Sequence, residues 1–322
     1  MTMMMPAGAA KKNKRGASAL AKRKKTTTKY SKKAPVAAAP SHCAPSRFTA
    51  YEATGSCLTT AEQAAVAHAV VPHLASDDKL PWEKLVDAVH VVMGTTAGEE
   101  ARWLMSPTVM QNPTLRQRLG QAFRPVHPDS WLQNPRAWLS TVDIEHVMNQ
   151  YEVSHPDFKM VGVFPRDFAS KAAWSGRCIS PPMCDLSVAS MRAQGKSQFG
   201  VVFNMDRHDQ RGSHWTACYG CINPRMPKRF GIWYYDSVAH APPPECKAFM
   251  ARIAAEVRSP KFVVARNSVR RQFANTECGI YSILFLVACI TTRIPFERIC
   301  REVMKDDRAT NRLRKVFFTQ PS

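Results

Sequence analysis

One stretch of the chain changes within a few residues from polar to almost entirely apolar: QFANTECGIYSILFLVACITT, residues 272–292. Its apolar part, residues 278–292, has hydrophobic side chains on nearly all sides of a helical projection, which is typical of a helix buried in a protein core. Asn275 or Thr276 is suited to cap that helix, because such side chains accept hydrogen bonds from the free N–H groups at a helix start. The stretch therefore predicts a central, buried helix that begins at Cys278.

Cys278 lies in the first turn of this predicted helix. The free N–H groups and the helix dipole at that position favour a thiolate, the nucleophilic form of cysteine. Gly279 has no side chain and would let a substrate or a strand approach closely. Gln272 lies on the entering loop, where its amide and the Cys278 N–H can both donate to a developing oxyanion. The alternative is that Cys278 is a small core residue, which is common for a free cysteine.

A second pattern predicts that a histidine and an aspartate meet. Residues 214–222 and 230–236 have strand-like composition and are separated by a proline-rich turn, which predicts an antiparallel hairpin. In the register that we predict, His214 lies directly opposite Asp236. A carboxylate beside an imidazole fixes its tautomer and stabilises its protonated form. The sequence therefore supplies Cys278 with a candidate general base that is oriented by a carboxylate.

The rest of the chain combines helices and strands. Further strands are predicted at residues 200–205 and 261–266, and an amphipathic helix at residues 140–151. Four short helices are predicted nearer the N-terminus, at residues 61–75, 82–93, 98–105 and 113–123. A capping box of Thr60 and Gln63 opens the first of them. We divide the chain into a disordered basic tail (1–50), a helical N-terminal region (51–125) and a larger domain with the candidate site (126–322).

The N-terminal tail carries most of the excess charge. Residues 1–50 contain twelve Lys or Arg and no acid, out of a net charge of +20. A segment with so few large apolar residues is expected to be disordered, and a basic arm binds phosphate backbones by counterion release. The expected nucleic-acid-binding residues are Lys11, Lys12, Lys14, Arg15, Lys22, Arg23, Lys24 and Lys25. The alternative is a solubilising tail, or a nuclear targeting signal around residues 22–25.

The cysteine pattern and the N-terminus argue against secretion. The ten cysteines are scattered, and residues 1–12 lack the apolar segment of a signal peptide. We therefore expect reduced thiols in a cytosolic or nuclear setting. The longest apolar run, about residues 279–290, is too short to span a bilayer, so no membrane partner is expected.

Two other groups of residues were considered for chemistry. Cys218 and Cys221, together with Cys178 and Cys184, are a candidate zinc site. On a strand, however, Cys218 and Cys221 point to opposite faces, so no metal is expected.

Other polar residues compete with His214 for the role of base. His208 and Asp206 lie close to it in sequence, on a predicted loop, and are alternative candidates. His240 lies in a proline-rich loop and is expected to be solvated.

The motifs resemble those of a known clan of enzymes. The order His214-Trp215, Tyr235-Asp236-Ser237, Gln272 and Cys278-Gly279 is similar to that of the adenovirus-protease and SUMO-protease clan of cysteine peptidases. The likeness is closer to the polyprotein-processing proteases of nucleocytoplasmic large DNA viruses, of the iridovirus and asfarvirus type. Residues 131–150, 202–208, 212–215 and 275–281 carry that likeness, which covers about residues 125–290.

The resemblance implies a fold, a mechanism and a cleavage site. It implies an α+β, papain-like protease core in which Cys278 attacks a peptide bond, without a metal or organic cofactor. It further implies that Trp215 and Trp138 line a narrow channel for a Gly-Gly segment, with Leu139 and Gly279 as further substrate-binding residues. Trp138-Leu139-Ser140 matches the start of a helix in SUMO proteases, although Ser140 and Thr141 replace the Asn-Asp pair found there.

Three functions follow from these expectations. The first is a cysteine endopeptidase that cleaves viral structural or core precursors after Gly-Gly during virion maturation, in the virion and the host cytoplasm or virus factory, with the nucleus as an alternative. The second is an isopeptidase that removes ubiquitin or a ubiquitin-like modifier. The third is a non-catalytic, DNA-binding virion protein, against which the complete set of four site residues argues.

Overall fold

A five-stranded mixed sheet forms the centre of the protein, which this computed structural model describes over residues 42–77, 79–173 and 175–319. Its strands are β1 (Phe158–Pro165), β2 (Gln198–Asn204), β3 (Trp215–Cys221), β4 (Gly231–Tyr235) and β5 (Val263–Arg266), in that spatial order. The two outer pairs, β1–β2 and β4–β5, are parallel, and the inner pairs are antiparallel. The predicted strands are all present, whereas β1 was not predicted.

The two faces of the sheet pack against different groups of residues. Because side chains alternate along a strand, Ala217 and Tyr219 of β3 join one hydrophobic cluster, while Cys218 joins the cluster on the opposite face. Cys221 lies in the first of these clusters, so Cys218 and Cys221 do point to opposite faces, as predicted.

An N-terminal group of short helices precedes the sheet. It comprises α1 (Phe48–Thr54), α2 (Thr60–Val70), α3 (Pro72–Ala75), α4 (Trp82–Met93), α5 (Pro107–Met110) and α6 (Pro113–Gly120), with 3-10 turns at Pro45–Arg47 and Glu100–Met105. These helices surround their own hydrophobic cluster, which runs from Cys43 to Phe123. The capping box of α2 is formed by Thr59 and Glu62, not by Thr60 and Gln63. Glu62 accepts from the Thr59 N–H at 2.8 Å, and its negative charge also suits the positive end of the helix.

The folded part begins earlier than the predicted tail allowed. Residues 1–41 lie outside the described residues, but residues 42–50 are structured. Cys43 is fully buried, the Ala44 N–H donates to the Ala122 carbonyl at 2.8 Å, and helix α1 begins at Phe48. The predicted boundary at residue 50 is therefore wrong, because these residues contribute to the N-terminal hydrophobic cluster.

Four of the ten cysteines are paired. Cys43 is bonded to Cys57, and Cys178 to Cys184. The expectation of reduced thiols is wrong for these four, because the fold brings the members of each pair to Cα separations of 5.3 and 6.6 Å, within the range of a disulfide. The other six cysteines are free and buried.

The remaining helices surround the sheet and cover its ends. They are α7 (Ser130–Gln133), α8 (Thr141–Ser154), α9 (Pro181–Cys184), α10 (Val188–Ala193), α11 (Pro244–Val257), α12 (Cys278–Thr291), α13 (Phe296–Arg298), α14 (Asp307–Arg312) and α15 (Arg314–Phe317), with a π-helical turn at Ile299–Val303. Helix α12 is buried along nearly its whole length, and it packs against β3 and α8. Both the buried helix and its starting residue agree with the prediction. Among the described residues, no helix is long and apolar enough to cross a membrane.

Candidate active site

Cys278 is the first residue of α12, and only 1% of its surface is exposed. The predicted caps, Asn275 and Thr276, do not cap the helix: the N-cap is Glu277, and no described side chain accepts a hydrogen bond there. Thr276 instead donates its hydroxyl to the Glu277 carboxylate at 2.7 Å. The N–H groups of the first turn are consequently not occupied by a capping side chain, and a helix N-terminus of this kind favours a negatively charged group.

His214 and Asp236 meet at one end of the hairpin. His214 immediately precedes β3, Asp236 immediately follows β4, and the Nε2 of His214 lies 2.7 Å from the Oδ1 of Asp236. The predicted register was wrong by two residues, since Ala217 lies opposite Tyr235 rather than Trp233. A shift by two residues keeps every side chain on its own face of the strand, and the two side chains therefore still reach each other.

Asp236 is almost fully buried and is held by several donors. Its Oδ1 also accepts from the Val238 N–H at 2.9 Å, and its Oδ2 accepts from the His240 N–H at 3.1 Å. Asn267, at the end of β5, accepts from the Asp236 N–H at 2.8 Å and donates to the Asp236 carbonyl at 2.7 Å. Asn267 was not predicted, although a polar residue directly after an apolar strand is a signal that sequence reasoning can use.

The imidazole of His214 is positioned between the carboxylate and the thiol. Because Nε2 is hydrogen-bonded to Asp236, Nδ1 is the nitrogen that remains available to Cys278. Burial disfavours the charged imidazole, but the hydrogen bonds to Asp236 and to Cys278 outweigh burial and raise the pKa of His214 from 6.5 to about 9. The three side chains therefore form one interacting group in which the imidazolium is stable at neutral pH.

Gln272 is buried on the loop before α12, and its amide has a fixed orientation. Its oxygen accepts from the Ser237 hydroxyl at 2.5 Å, while its nitrogen donates to the Ala274 carbonyl at 2.8 Å. An amide nitrogen has two N–H groups, so one remains for a ligand. The Ser237 carbonyl also accepts from the Gln272 N–H at 2.9 Å. Ser237 thus connects the Asp236 segment to the Gln272 loop, a role that sequence reasoning missed although Ser237 lies within the recognised motif.

The residues predicted to bind substrate fall into two groups. Trp215 is buried, and its indole N–H donates to the Leu139 carbonyl at 3.0 Å, whereas Trp138 has 42% of its surface exposed. Leu139 is itself buried, and a Cβ on Gly279 would lie 3.1 Å from the Leu139 side chain. Gly279 therefore packs closely against Leu139, and its contact with a substrate stays a prediction. Trp138 has the exposure that contact with a substrate requires.

The alternative bases lie elsewhere. His208 is bonded through Nδ1 to Asp167 at 2.7 Å, and Asp206 accepts from the Ser213 hydroxyl at 2.6 Å. His240 has 80% of its side chain exposed, as predicted, although its Nδ1 lies 3.8 Å from Asp236. His214 is thus the histidine that the fold brings to Cys278.

The candidate zinc site is not formed by the four cysteines. Cys178 and Cys184 are bonded to each other, while Cys218 and Cys221 lie in different clusters. Within the described ranges, the group of His, Cys and acidic residues close enough to share a metal is His42, Cys43 and Cys57, and two of these three form a disulfide.

The eight basic residues predicted to bind nucleic acid, at positions 11–25, lie outside the described residues. Their role stays a prediction.

Comparisons with known proteins agree with the motif resemblance. No protein-family model matches the chain. It is 28% identical over 189 residues to a putative thiol protease of Acanthamoeba polyphaga mimivirus, which covers 58% of each chain. It is 30% identical over 96 residues to a SUMO-1 cysteine protease of African swine fever virus, which covers 28% of this chain and 33% of that relative. The predicted likeness to viral cysteine proteases is thereby confirmed, over 58% of the length of the first relative and 33% of the length of the second.

A solved structure has the same fold. The crystal structure of the African swine fever virus protease superposes on 88% of this chain and 97% of its own, with a TM-score of 0.62 and 17% identity. The likeness confirms the predicted α+β protease fold.

Proposed function

We propose that this chain is a cysteine peptidase, a thiol protease that hydrolyses peptide bonds with Cys278 as its nucleophile. The observation that carries the proposal is the contact series Cys278–His214–Asp236 at the start of the buried helix α12. A thiol at a helix N-terminus, beside an imidazole that a buried carboxylate orients, is the arrangement that activates cysteine for attack on a carbonyl.

The first half of the reaction uses the thiol and the imidazole. The Cys278 sulfur attacks the carbonyl carbon of the scissile bond, and Nδ1 of His214 holds the thiol proton. When the tetrahedral intermediate collapses, the C–N bond breaks and the imidazolium gives that proton to the leaving amine. Asp236 stabilises the imidazolium and keeps its ring in the reactive orientation.

The negative charge on the substrate oxygen requires donors that are already in place. The unoccupied Cys278 N–H and the second N–H of the Gln272 amide are those donors in this proposal. Water, deprotonated by His214, then hydrolyses the thioester and regenerates the thiol.

For the substrate, we propose bonds that follow Gly-Gly in viral structural or core precursor proteins. Two tryptophans support a narrow channel that admits glycine. Trp215 is buried and hydrogen-bonded to the Leu139 carbonyl, and Trp138, which precedes Leu139 in the chain, is partly exposed. The relatives are viral proteases, which supports a role in a virus. The virion and the host cytoplasm or virus factory are the corresponding locations.

A second candidate is removal of a ubiquitin-like modifier. The African swine fever virus relative is named a SUMO-1 cysteine protease, which supports a substrate of this class. The same channel would fit either substrate, so the two candidates differ in the protein that precedes the glycines.

An experiment with two substrates tests the proposal. Internally quenched peptides containing Gly-Gly-Ala or Ala-Ala-Ala are compared with rhodamine conjugates of ubiquitin and SUMO. We expect cleavage after Gly-Gly in the peptide, no cleavage of the Ala-Ala-Ala peptide, and weaker activity on the conjugates. Preference for a conjugate would favour the modifier candidate.

Two variants serve as controls. Cys278→Ala should abolish hydrolysis, whereas Cys300→Ala should retain it, because burial raises the pKa of Cys300 to about 12 and keeps that thiol protonated. Hydrolysis that survives in Cys278→Ala would overturn the proposal, and so would its absence from the wild type.

We also propose that the basic tail binds nucleic acid, supported by the eleven Lys or Arg and the lack of an acid in residues 1–40. Deletion of residues 1–40, which spares the Cys43–Cys57 disulfide, should remove a steep salt dependence of DNA affinity. An unchanged salt dependence would contradict this role.

A further inference from the structure

Arg314, near the C-terminal end of the described chain, is a buried cation with an unusual set of partners. It is the first residue of α15, and only 4% of its surface is exposed. Its guanidinium donates to three backbone carbonyls: Ala137 at 2.8 Å, Thr276 at 3.0 Å and Arg136 at 3.4 Å. The guanidinium carbon also lies 4.5 Å from the centre of the Trp131 ring. A buried charge is costly. Three carbonyls and an aromatic face offset that cost here, while the Nε of Arg314 has no hydrogen-bond partner among the described residues.

The carbonyls belong to the two segments that border the nucleophile. Thr276 lies two residues before Cys278, and Ala137 immediately precedes Trp138. The neighbouring Leu139 packs against Gly279, and its carbonyl receives the Trp215 indole. A single side chain therefore joins the nucleophile loop to the segment that carries Trp138 and that binds the Trp215 indole through the Leu139 carbonyl.

A second contact from the same C-terminal segment holds the other part of the loop. One carboxylate oxygen of Asp307 accepts from the Phe273 and Ala274 N–H groups, each at 2.8 Å. Phe273 directly follows Gln272. The C-terminal segment thus holds the loop at two points between Gln272 and Cys278, the two candidate sources of oxyanion donors.

We propose that Arg314 is a positioning residue of the active site. It sets the separation between the Trp138 segment and the loop that leads to Cys278, and it places a fixed positive charge at the Thr276 carbonyl, two residues before Cys278. The proposal rests on the proposed function, because positioning matters only if Cys278 reacts.

The charges around the sulfur agree with this role. Burial lowers the pKa of Arg314, and the nearby Glu277 and Cys278 act in the opposite direction; a guanidinium nevertheless stays protonated. The other charged groups of this region are His214 with Asp236 from the sheet, Glu277, which directly precedes Cys278, and Arg136, whose charge acts on Arg314.

The thiol can be followed without a substrate. Burial raises the pKa of the five other free cysteines, which are Cys218, Cys221, Cys246, Cys289 and Cys300. Alkylation by iodoacetamide, measured for each peptide by mass spectrometry as a function of pH, therefore reports on Cys278.

The variants are Arg314→Met, Arg314→Lys and, as a matched control, Arg312→Met on the exposed side of α14. We expect Arg314→Met to lower kcat by about 10- to 100-fold, the effect of a small misplacement of reacting groups, and to move the alkylation midpoint of Cys278 to higher pH. Arg314→Lys should restore the midpoint but not kcat, because an ammonium retains the charge and cannot bridge two segments. Arg312→Met should match the wild type.

The outcomes separate this inference from the proposed function. Wild-type kcat and alkylation midpoint in a folded Arg314→Met would overturn the inference. If Arg314→Met does not unfold cooperatively on heating, it is not folded, and the test rests on Arg314→Lys. A folded Arg314→Lys with wild-type kcat would overturn the inference. A wild-type protein without Cys278-dependent hydrolysis overturns the proposed function, while the alkylation midpoints still test the effect of the Arg314 charge on the Cys278 thiol.

Discussion

Two histidine–aspartate pairs in this protein have the same separation and different surroundings. His214 lies 2.7 Å from Asp236 at the end of the β3–β4 hairpin, and His208 lies 2.7 Å from Asp167 in the loops that follow β2 and β1. Both carboxylates are buried, with 2% and 4% of their side chains exposed. The imidazoles differ, because His208 has 42% of its side chain exposed and His214 has 18%.

The pairs also differ in the ring nitrogen that is used. His214 is bonded through Nε2, which leaves Nδ1 for Cys278, whereas His208 is bonded through Nδ1. Hydrogen bonds to Asp236 and Cys278, acting against burial, raise the pKa of His214. Burial would raise the pKa of Asp167, but the hydrogen bonds from His208 outweigh it and lower that pKa. A carboxylate beside an imidazole is thus not sufficient for catalysis; a third group must be in contact with the remaining nitrogen.

The largest expected effect comes from replacing each histidine. His214→Gln should lower kcat/KM on the Gly-Gly peptide by about 10³-fold or more, because His214 is both the base for the Cys278 thiol and the acid that protonates the leaving amine. His208→Gln should change it less than about twofold, as expected for a side chain outside the site. Equal losses in the two variants would remove the distinction between the pairs.

Replacing the carboxylates should give a smaller difference. Asp236→Asn should lower kcat by about 10²-fold or more, because an amide does not stabilise the imidazolium charge and favours the wrong tautomer of the ring. Asp167→Asn should leave kcat unchanged and lower the free energy of unfolding by about 1–3 kcal/mol, the usual effect of losing charge-assisted hydrogen bonds to a buried group. Steady-state kinetics and urea unfolding of both variants provide the check.

The pairs should lose their stabilising effect at opposite ends of the pH range. The pKa of His214 is raised from 6.5 to about 9, so its stabilisation is complete below pH 6.5 and is lost as the pH rises through about 9. The pKa of Asp167 is lowered, so its contribution is present at neutral pH and is lost as the pH falls. The free energy of unfolding of the wild type, His214→Gln and Asp167→Asn is measured across pH. The difference between the wild type and His214→Gln should shrink in alkali, and the difference between the wild type and Asp167→Asn should shrink in acid. The reverse pattern would contradict the assignment.

The smallest effect is expected for the second imidazole near Asp236. His240 is mostly exposed and approaches that carboxylate at 3.8 Å, while its backbone N–H makes the shorter contact. His240→Ala keeps that N–H and should change kcat/KM by less than about twofold. A loss comparable to that of Asp236→Asn would show that His240 shares the carboxylate's function.

The sequence predicted the elements that local spacing controls. The start of α12 at Cys278 and the bounds of α4 follow from apolar periodicity and were predicted correctly. The pairing of His214 with Asp236 was also correct, although the register was not, because side-chain alternation tolerates a shift by two residues. The cap of α12 was wrong, since Thr276 uses its hydroxyl for the Glu277 carboxylate.

Contacts between distant residues could not be predicted in this way. The Cys43–Cys57 disulfide depends on where two loops meet, and the orientation of the Gln272 amide depends on a hydroxyl 35 residues earlier. Gly279 packs closely against the Leu139 side chain, which belongs to another segment of the chain.

The sequence by itself therefore determined that Cys278 begins a buried helix and that a histidine and an aspartate share one end of a hairpin. Both follow from short repeats, 3.6 residues in a helix and two in a strand, which fix the direction of neighbouring side chains. Only the tertiary structure decided which of two equally close histidine–aspartate pairs reaches Cys278. It also decided that Arg314, 177 residues from Ala137, joins the two sides of the site. Such contacts depend on the packing of whole elements, which no local repeat specifies.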